Sequence, residues 1–382
     1  MTITDVEAIP LVLVLDRPFE AGTYCVRNRN TIVVRITTDQ GVEGEVYGGD
    51  EDMCQGDIVD LINGAFKPSI VGRTIDGPED IEAIYRDLMD YPIDLGYRAL
   101  VDLDMGRHGI QQQALSLVDM ACWDAFGKAT GKPVHELLGG ALRDRIPVIA
   151  IGGYYHDNEP QGTYDEVVWL RDQGVSGIKM KVGRVAFEKD VERIRAAFEA
   201  GGDDFTVAVD VNQGWTVEQV KQFCRDAADL GLAWLEEPVK WYDCLTGLAE
   251  VRKESTIPIV SGQGDISEYR SCDLVRYGAV DQLNTDATLV GGITGWMHVA
   301  ECAAAHGVAM GHHEEPQVSL TLLSVVKDIG PVEIFADERR DPLWKQILRN
   351  APTPDGGMLP VPQGPGLGIE LNGDVIERLR VS

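Results

Sequence analysis

Charged residues end three short apolar segments of the sequence and could together do acid-base or metal chemistry. Lys179 and Lys181 end the first segment, Asp210 ends the second and Glu236 ends the third. Residues two apart on a strand point to one face, so the two lysines are expected to lie together. A second ammonium or a metal nearby is expected to lower the pKa of such a lysine toward the range of a general base. Oxygen ligands from adjacent strand ends suit Mg²⁺, which leaves positions for water and a substrate carboxylate.

Two structural alternatives are open for these residues. The lysines could be surface groups at a strand end, and the acids could be satisfied by the lysines with no metal. The elements that position the four side chains decide between these possibilities.

The charged segments belong to a repeated alternation of strand and helix patterns, in which Thr163 and Thr216 are predicted to open capping boxes. At the carboxyl ends of successive barrel strands, side chains converge on one mouth. Alternation of this kind favours a (β/α)8-type barrel over an open sheet. The strand candidates are 146–152, 177–181, 206–211, 232–236, 257–262, 279–284, 308–312 and 332–335.

A different pattern at the start of the chain predicts an α+β capping domain. Strand patterns cover 3–14, 31–38 and 42–47, and helical spacing covers 78–91 and 111–129. Segments near 17–30 and 48–56 have loop composition and are predicted lid loops. The expected domains are a capping domain at 1–131, a barrel at 132–340, and a C-terminal segment at 341–382 that packs back on the capping domain, with a late strand near 368–371.

Composition and charge exclude several classes of protein. The chain has 382 residues, 44% of them hydrophobic, which is enough for a large core and more than one domain. A net charge of −28 would repel nucleic acid and acidic lipid surfaces. Seven scattered cysteines without a CxxC pair argue against a disulfide framework or a zinc site. With no basic leader and no long apolar run, we expect a cytoplasmic protein without nucleic-acid or membrane partners.

Several motifs together make the chain resemble the enolase superfamily, and within it the mandelate racemase subgroup. The similarity extends from the capping domain through the whole barrel, and the motifs fall in the family's order and spacing. They are Ala121-Cys-Trp123-Asp124 to Gly140, Lys179-Met-Lys181, Asp210-Val-Asn212-Gln213, Trp234-Leu-Glu236-Glu237-Pro238, Gly291-Gly292-Ile-Thr-Gly295-Trp296 and His313.

The resemblance implies a metal site and a base on one side of the substrate. Asp210 and Glu236 match the first two ligands of a Mg²⁺ ion, and Lys181 matches the base, with Lys179 beside it. Members of the family commonly assemble, so a homo-oligomer is also implied. Removal of a proton next to a carboxylate creates a dianion, which a metal, lysine ammoniums and a protonated acid donor would stabilise.

The resemblance also implies a second acid-base group on the opposite face. Asp286 and His313 match the family's Asp/His pair, and Glu333 matches the acid that hydrogen-bonds the substrate carboxylate. His313 could return or deliver a proton from that side. The neighbouring His312 is expected to face away, because adjacent strand residues point in opposite directions.

One position departs from the family pattern. The third metal ligand of the family is an acid, but Gln263 stands there, and Asp265 follows two residues later. A glutamine oxygen can bind Mg²⁺ without contributing charge, so metal affinity should weaken. Gln263 is the favoured third ligand, Asp265 is the alternative, and a decayed metal site is the third possibility.

The expected activity is Mg²⁺-dependent removal of the proton α to the carboxylate of a small molecule. Polar residues between 20 and 29 and at 50–52 favour dehydration of a sugar acid to a 2-keto-3-deoxy acid over racemisation or epimerisation of a 2-hydroxy or amino acid derivative. Two other classes stay open: a non-catalytic homologue with an impaired metal site, and a Schiff-base enzyme that uses one of the lysines. Candidate substrate contacts are Asn212, Tyr154 and Cys25.

Overall fold

The computed structural model describes residues 1–49, 54–91, 108–155 and 159–381. The chain begins with an antiparallel sheet of three strands: β1 (Ile3–Glu20), β2 (Cys25–Thr38) and β3 (Glu43–Gly48). Alternating β-branched and apolar residues place one face of this sheet in the core.

The first lid segment is a strand hairpin and not the loop that its composition predicts. β1 and β2 stay paired out to Glu20 and Cys25, after an irregularity between Val14 and Phe19. Pro18 falls inside this irregularity, where the lack of a backbone N–H costs no ladder hydrogen bond. Tertiary support from the barrel below the hairpin overrides the local loop preference. In the second predicted lid segment, 48–56, residues 50–53 lie outside the described residues, and the helix α1 begins at Gln55.

Helices complete the N-terminal region. The long helix α4 is buried on nearly all sides, because it lies between the β1–β3 sheet and the barrel helices α11 and α12. The predicted helices at 78–91 and 111–129 correspond to α3 and α4. The bounds are α1 (Gln55–Leu61), a π-helical turn (Ile62–Phe66), α2 (Lys67–Ile70), α3 (Pro78–Met89), α4 (His108–Thr130) and α5 (Val134–Leu137).

Eight parallel strands form the barrel, in the order β11-β4-β5-β6-β7-β8-β9-β10. An isolated parallel bridge between Met310 and Ile329 brings the two ends of this sheet together. The prediction of a (β/α)8-type barrel with an α+β N-terminal cap is therefore confirmed. The strands are β4 (Arg145–Gly152), β5 (Gly177–Lys181), β6 (Thr206–Asp210), β7 (Leu235–Glu236), β8 (Ile259–Ser261), β9 (Gln282–Asn284), β10 (Ala309–Gly311) and β11 (Val332–Ile334).

Helices alternate with these strands around the outside. Thr216 opens α8 with the predicted capping box, in which its hydroxyl accepts from Gln219 N and the Gln219 side chain returns to Thr216 N. The capping box predicted at Thr163 is wrong, because α6 already begins at Gln161 and the Thr163 hydroxyl donates to Glu159 at 2.6 Å. The helices are α6 (Gln161–Asp172), α7 (Phe187–Gly201), α8 (Val217–Asp226), α9 (Thr246–Glu254), α10 (Glu268–Arg276), α11 (Ala287–Val290), α12 (Gly292–His306) and α13 (Pro316–Val325), with a 3₁₀ turn at Trp241–Asp243.

The C-terminal residues contact both the barrel and the cap. They form α14 (Leu343–Ile347), β12 (Met358–Pro360) and α15 (Gly373–Leu379), and β12 pairs antiparallel with β4. Arg380 forms a bridge to Leu11 of β1. The late strand expected at 368–371 is instead an irregular segment with one bridge from Leu371 to Leu348. None of the helices in the described part of the chain has both the length and the apolar character that crossing a membrane requires.

Close packing of α4 against α12 fixes the cap on the barrel. Asp119 of α4 accepts hydrogen bonds from Thr294 N at 3.0 Å and from the Thr294 hydroxyl at 2.5 Å, so a carboxyl group lies at the N-terminus of α12. Gly292, at a φ of 73°, lies directly against the Asp119 side chain, where a Cβ would collide with it. Burial raises the pKa of Asp119 to about 7.

Candidate active site

The carboxyl ends of β5, β6 and β7 bring lysines and acids into direct contact. The strand register places Lys181 beside Asp210 and Asp210 beside Glu236. Lys181 Nζ lies 2.6 Å from Asp210 Oδ2, and Lys179 Nζ lies 2.9 Å from Glu236 Oε1. All four side chains are buried, so the structure excludes the alternative of surface lysines.

A carboxylate from the far side of the barrel also reaches this cluster. Glu333 of β11 places Oε1 2.6 Å from Lys179 Nζ and accepts a hydrogen bond from Asn284 Nδ2 at 3.0 Å. Asn284 Nδ2 also donates to Glu236 Oε1 at 2.9 Å, and Trp234 Nε1 donates to Glu236 Oε2. Both oxygens of Glu236 are therefore held in place from within the barrel.

Pairing within the protein shifts the pKa values of the two lysines and of Glu333 away from the states that the sequence suggested, a lysine base of lowered pKa and a protonated acid donor. Burial lowers the pKa of Lys181, but the carboxylate of Asp210 outweighs it and holds the pKa well above its ordinary value; the pKa of Lys179 is likewise raised. Burial raises the pKa of Glu333, but the Lys179 ammonium more than offsets it, so the pKa lies below its ordinary value and the group is an anion. The physical reason is direct pairing, which the sequence did not reveal.

His313 and Asp286 form the expected pair on another side of the mouth. Asp286 is the N-cap of α11, with Oδ1 accepting from Thr288 N, and its other oxygen lies 3.2 Å from His313 Nδ1. One carboxylate thus caps a helix and orients an imidazole. Burial lowers the pKa of His313, but Glu314 and Asp286 outweigh it and raise the pKa to about 9.

His312 takes a different role, as expected from its position. Its Nε2 accepts from Ala287 N at 3.1 Å, and its Nδ1 faces the carbonyl oxygen of His313 at 2.9 Å. These partners assign a neutral ring with the proton on Nδ1. Burial lowers its pKa, and the ring stacks on Trp296. His312 therefore supports the backbone around the site.

The donors that could hold a metal are Asp210, Glu236 and Gln263. Gln263 Oε1 is buried and has no hydrogen-bond partner in the part of the chain that the structure describes, and Gln263 borders the cavity that Lys181 and His313 also line. Asp265, the alternative ligand, is instead held by Arg270, whose Nε lies 3.0 Å from its Oδ1. Two carboxylates and one amide oxygen are hard ligands that fit Mg²⁺. Within the described residues, no cluster of three or more His, Cys, Asp or Glu side chains could hold a metal ion.

A cavity of about 400 Å³ lies above these groups, and the hairpin between β1 and β2 forms one of its walls. Of the predicted substrate contacts, Asn212, Tyr154 and Cys25 all border it. The side-chain amide nitrogen of Asn212 donates to Asp210 Oδ2 at 3.0 Å, and Asn212 Oδ1 is buried with no partner in residues 1–49, 54–91, 108–155 and 159–381. The Tyr154 hydroxyl lies 3.3 Å from that of Tyr24.

Sequence reasoning missed an aromatic wall of this cavity. Phe19 lies 4.7 Å from Tyr154 and 6.3 Å from Phe335 between ring centroids, and all three border the cavity. The cap therefore contributes an aromatic ring to the cavity besides the polar residues that the sequence indicated. Phe335 could have been found from its position two residues after Glu333, which places both on one face of the strand.

Glu237 is a further buried acid that sequence reasoning did not assign. It accepts from the Ser261 hydroxyl, from Gly262 N and from Gln213 Nε2, at 2.8, 2.9 and 2.8 Å. Burial raises its pKa to about 7. These bonds hold the backbone that leads into Gln263, so Glu237 sets the position of the neighbouring amide.

The fold is a capped (β/α)8 barrel, and lysines, acids and a His–Asp pair lie around one cavity at its mouth. These features define a class of barrel enzymes that carry acid-base groups at this end of the barrel. Two family models match this chain: Mandelate racemase / muconate lactonizing enzyme, N-terminal domain, over residues 5–139, and Enolase C-terminal domain-like over residues 164–375. The chain belongs to the enolase superfamily, in its mandelate racemase subgroup.

Individual relatives span several activities. The chain is 32% identical to an arabinonate dehydratase of Saccharolobus solfataricus, over 77% of this chain and 79% of the relative. It is 30% identical to a D-galactarolactone cycloisomerase of Agrobacterium fabrum, over 100% of this chain and 99% of the relative. Racemases and epimerases also occur among the relatives. A solved mandelate racemase/muconate lactonizing enzyme from a marine actinobacterium, in complex with magnesium, is 36% identical over 100% and 99% of the two chains, with a TM-score of 0.87. Magnesium is the cofactor that the sequence predicted.

Proposed function

We propose that this protein is a Mg²⁺-dependent enzyme that removes the α-proton of a carboxylate, and that it dehydrates a sugar acid to a 2-keto-3-deoxy acid. The observation that carries the proposal is that Lys181 and His313, which Asp286 contacts at 3.2 Å, border the same cavity. Two acid-base groups that face one bound molecule can remove one proton from it and donate another to it. Dehydratases of sugar acids among the relatives support the finer assignment.

Each step of the dehydration has a residue to perform it. Lys181 accepts the proton from the α-carbon in its neutral form, which requires release of its ion pair with Asp210 so that its pKa falls, and Lys179 supplies an ammonium near the substrate carboxylate. His313 gives its proton to the departing 3-hydroxyl, which leaves as water, and the enol that remains becomes the ketone. Asp286 holds the imidazole in position throughout.

The metal site supplies the remaining charge. Asp210, Glu236 and Gln263 would hold Mg²⁺, which when bound provides positive charge next to the substrate carboxylate and stabilises the enediolate. Asn212 Oδ1, which has no hydrogen-bond partner among the described residues, is placed to accept a hydrogen bond from a substrate hydroxyl. The cavity of about 400 Å³ suits a molecule of sugar-acid size.

The second candidate is racemisation or epimerisation at the α-carbon. In that reaction Lys181 and His313 exchange protons at one carbon and no hydroxyl leaves. The aromatic wall of Phe19, Tyr154 and Phe335 favours it, because an apolar substituent would bury surface there.

The test is turnover of a library of sugar acids with Mg²⁺ in D₂O, with 2-keto product detected by semicarbazide and α-proton exchange detected by NMR. Lys181→Ala and His313→Asn should abolish keto product, while His306→Asn, at an exposed histidine whose Nδ1 contacts the Cys302 carbonyl oxygen, should not. His313→Asn should still exchange the α-proton with solvent, because Lys181 remains.

Different results separate the alternatives. Deuterium uptake with inversion and without keto product would establish racemisation or epimerisation instead. Activity that survives EDTA, together with a lysine adduct trapped by borohydride, would assign the Schiff-base class. Neither product nor exchange from any acid would indicate a homologue that binds without turnover.

A further inference from the structure

Glu314 brings a second carboxylate to His313, at the ring nitrogen opposite the one that Asp286 contacts. Glu314 Oε1 lies 3.5 Å from His313 Nε2, whereas Asp286 Oδ2 lies 3.2 Å from Nδ1. His313 and Glu314 both border the cavity of the site. The imidazole therefore lies between two carboxylates, and the one at Nε2 belongs to the wall of the substrate cavity itself.

The backbone holds Glu314 in a conformation that a residue with a Cβ rarely adopts. Glu314 and Glu315 have φ angles of 48° and 49°, in the left-handed region. Glu314 N donates to Glu333 Oε2 at 3.2 Å, which ties this turn to β11. Strained residues of this kind persist where the surrounding structure imposes them, and they are concentrated at functional sites. The fold thus imposes the placement of the Glu314 side chain in the cavity wall.

A cation from the cap holds the second oxygen of this carboxylate. Arg29 of β2 is buried, and its Nη2 lies 3.4 Å from Glu314 Oε2 and 3.3 Å from Asp341 Oδ2. The guanidinium carbon of Arg29 lies 4.5 Å from the centre of the Phe335 ring, a cation–π contact that helps to fix its position. Because Arg29 engages Oε2, the other oxygen of Glu314 is held toward His313.

We propose that Glu314 is a positioning residue for the acid step, and that its carboxylate keeps the proton on His313 until the departing hydroxyl accepts it. The inference rests on the proposed function, because it takes His313 as the donor of that proton. The 3.5 Å between Nε2 and Oε1 exceeds a normal hydrogen bond, so a substrate hydroxyl can lie against both atoms.

The transfer is balanced in atoms and electrons. The hydroxyl oxygen takes the proton from His313 Nε2 while its own hydrogen points to Glu314 Oε1. The bond from the β-carbon to this oxygen then breaks, and its electron pair leaves with the water molecule. The electron pair of the enediolate forms the new carbon–carbon double bond. Glu314 therefore accepts a hydrogen bond from the leaving group without itself giving or taking a proton.

A carboxylate at Nε2 favours donation of a proton by His313 over removal of one. Racemisation in both directions requires the charged and the neutral ring in turn, whereas dehydration starts from the charged ring. Burial lowers the pKa of His313, but the charges of Glu314 and Asp286 outweigh it and raise the pKa to about 9. The ring is thus held in the form that dehydration needs.

Replacement of Glu314 leaves the other charged and titratable groups around the ring in place. Among the described residues, these groups come from several elements. They are Asp286 at the start of α11, Lys179 of β5, Glu333 of β11, His312 after β10 and, behind Glu314, Arg29 of β2.

The experiment is NMR titration of the His313 ring in the whole protein, for the natural chain and three variants. Glu314→Gln removes the charge at nearly constant size, and Glu314→Asp keeps the charge but is shorter by a CH₂ group. Asp341→Asn is the matched control, because it also removes an acid that contacts Arg29, and its side-chain oxygen can still accept from Leu343 N. The pH profile of keto product formation is measured in the same variants.

Glu314→Gln should lower the pKa of His313 by at least about one pH unit, Glu314→Asp by less, and Asp341→Asn by less than half as much as Glu314→Gln. The alkaline limb of keto product formation should move to lower pH by the same amount in Glu314→Gln, because charged His313 is the donor.

Two results would overturn the inference while keto product from the natural chain still supports the proposed function: an unchanged pKa of His313 in Glu314→Gln, or an equal fall in Asp341→Asn. If Glu314→Gln does not fold, an unchanged pKa in Glu314→Asp overturns the inference in its place. The expected fall in pKa without keto product from any sugar acid would support Glu314 as the group that holds the proton and would overturn dehydration.

Discussion

Asp286→Asn removes one charge from the His313 pair and leaves the local fold in place. Asparagine still offers a side-chain oxygen to Thr288 N, so the N-cap of α11 is kept. What is lost is the anion 3.2 Å from His313 Nδ1. The variant therefore isolates the electrostatic contribution of Asp286 from its structural one.

The expected magnitude follows from the pKa of His313. The rise from 6.5 to about 9 corresponds to about 3 kcal/mol of preference for the charged imidazole. Glu314 remains in the variant, with Oε1 3.5 Å from His313 Nε2, so only part of this preference disappears. A hydrogen bond to a charged group contributes about 1.5 to 3 kcal/mol, which corresponds to a fall of roughly one to two pH units.

The sign of the effect on stability is also fixed. Since the folded pKa lies above 6.5, charged His313 stabilises the fold fully below pH 6.5, and this contribution is lost as the pH rises through about 9. The natural chain should therefore lose its advantage in free energy of unfolding over Asp286→Asn between those two values.

NMR titration of the His313 ring, compared with His306 as an exposed reference, measures the shift directly. Denaturant unfolding at several pH values measures the stability difference. If the pKa of His313 is the same in the variant and in the natural chain, the assignment of the Asp286–His313 interaction is wrong.

Three further predictions concern the packing around the site. Asp119→Asn should gain free energy of unfolding relative to the natural chain as the pH rises from about 4 to 7, by up to about 1.4 kcal/mol per pH unit. The reason is that the folded pKa of Asp119 is raised to about 7, so the natural chain loses stability over this pH range while the variant has no group that titrates there. A difference in denaturant unfolding that does not change with pH would refute this. Asp124→Ala should lower the free energy of unfolding by about 3 kcal/mol, since the buried carboxylate accepts from Glu45 N and Leu367 N, both at 2.8 Å, whereas removal of its half-exposed partner in Lys128→Met should cost about 1 kcal/mol or less; equal losses in the two variants would contradict it. Thr23→Val removes the hydroxyl that donates to the Asn212 carbonyl at 3.1 Å. KM should rise a few-fold, and the free energy of unfolding should stay within about 0.5 kcal/mol of that of the natural chain. An unchanged KM would show that the position of the hairpin does not depend on this bond.

The barrel could be predicted from the sequence because the pattern of each strand–helix unit lies within a short stretch of residues and recurs along the chain. Short apolar runs, each ending in a polar or charged residue and followed by helical spacing, define strand–helix units without knowledge of their neighbours. Thr216 is an example, because its capping box depends only on residues within one turn. Thr163 shows the limit, since the same pattern lies inside α6 once the preceding turn has extended the helix.

Contacts between distant segments could not be predicted in the same way. The hairpin from Glu20 to Cys25 has loop composition, yet it stays paired because the barrel loops beneath it support it. The aromatic wall arises where Phe19 of the cap meets Tyr154 and Phe335, which follow the barrel strands β4 and β11. No local pattern indicates that these three rings share a cavity.

The sequence by itself determined which groups are available: lysines, acids and a histidine at strand ends, and an amide where the family has an acid. Only the tertiary structure decided their state, because the pKa of a group depends on its neighbours. Direct pairing holds the pKa of Lys181 above its ordinary value and the pKa of Glu333 below it, opposite to the shifts that burial alone would cause. It also decided between Gln263 and Asp265 as the oxygen that faces the cavity, because Arg270 holds Asp265 away from it. The type of each residue can be read from the sequence, whereas the charge that each group carries depends on which other groups lie beside it at the carboxyl ends of the barrel strands.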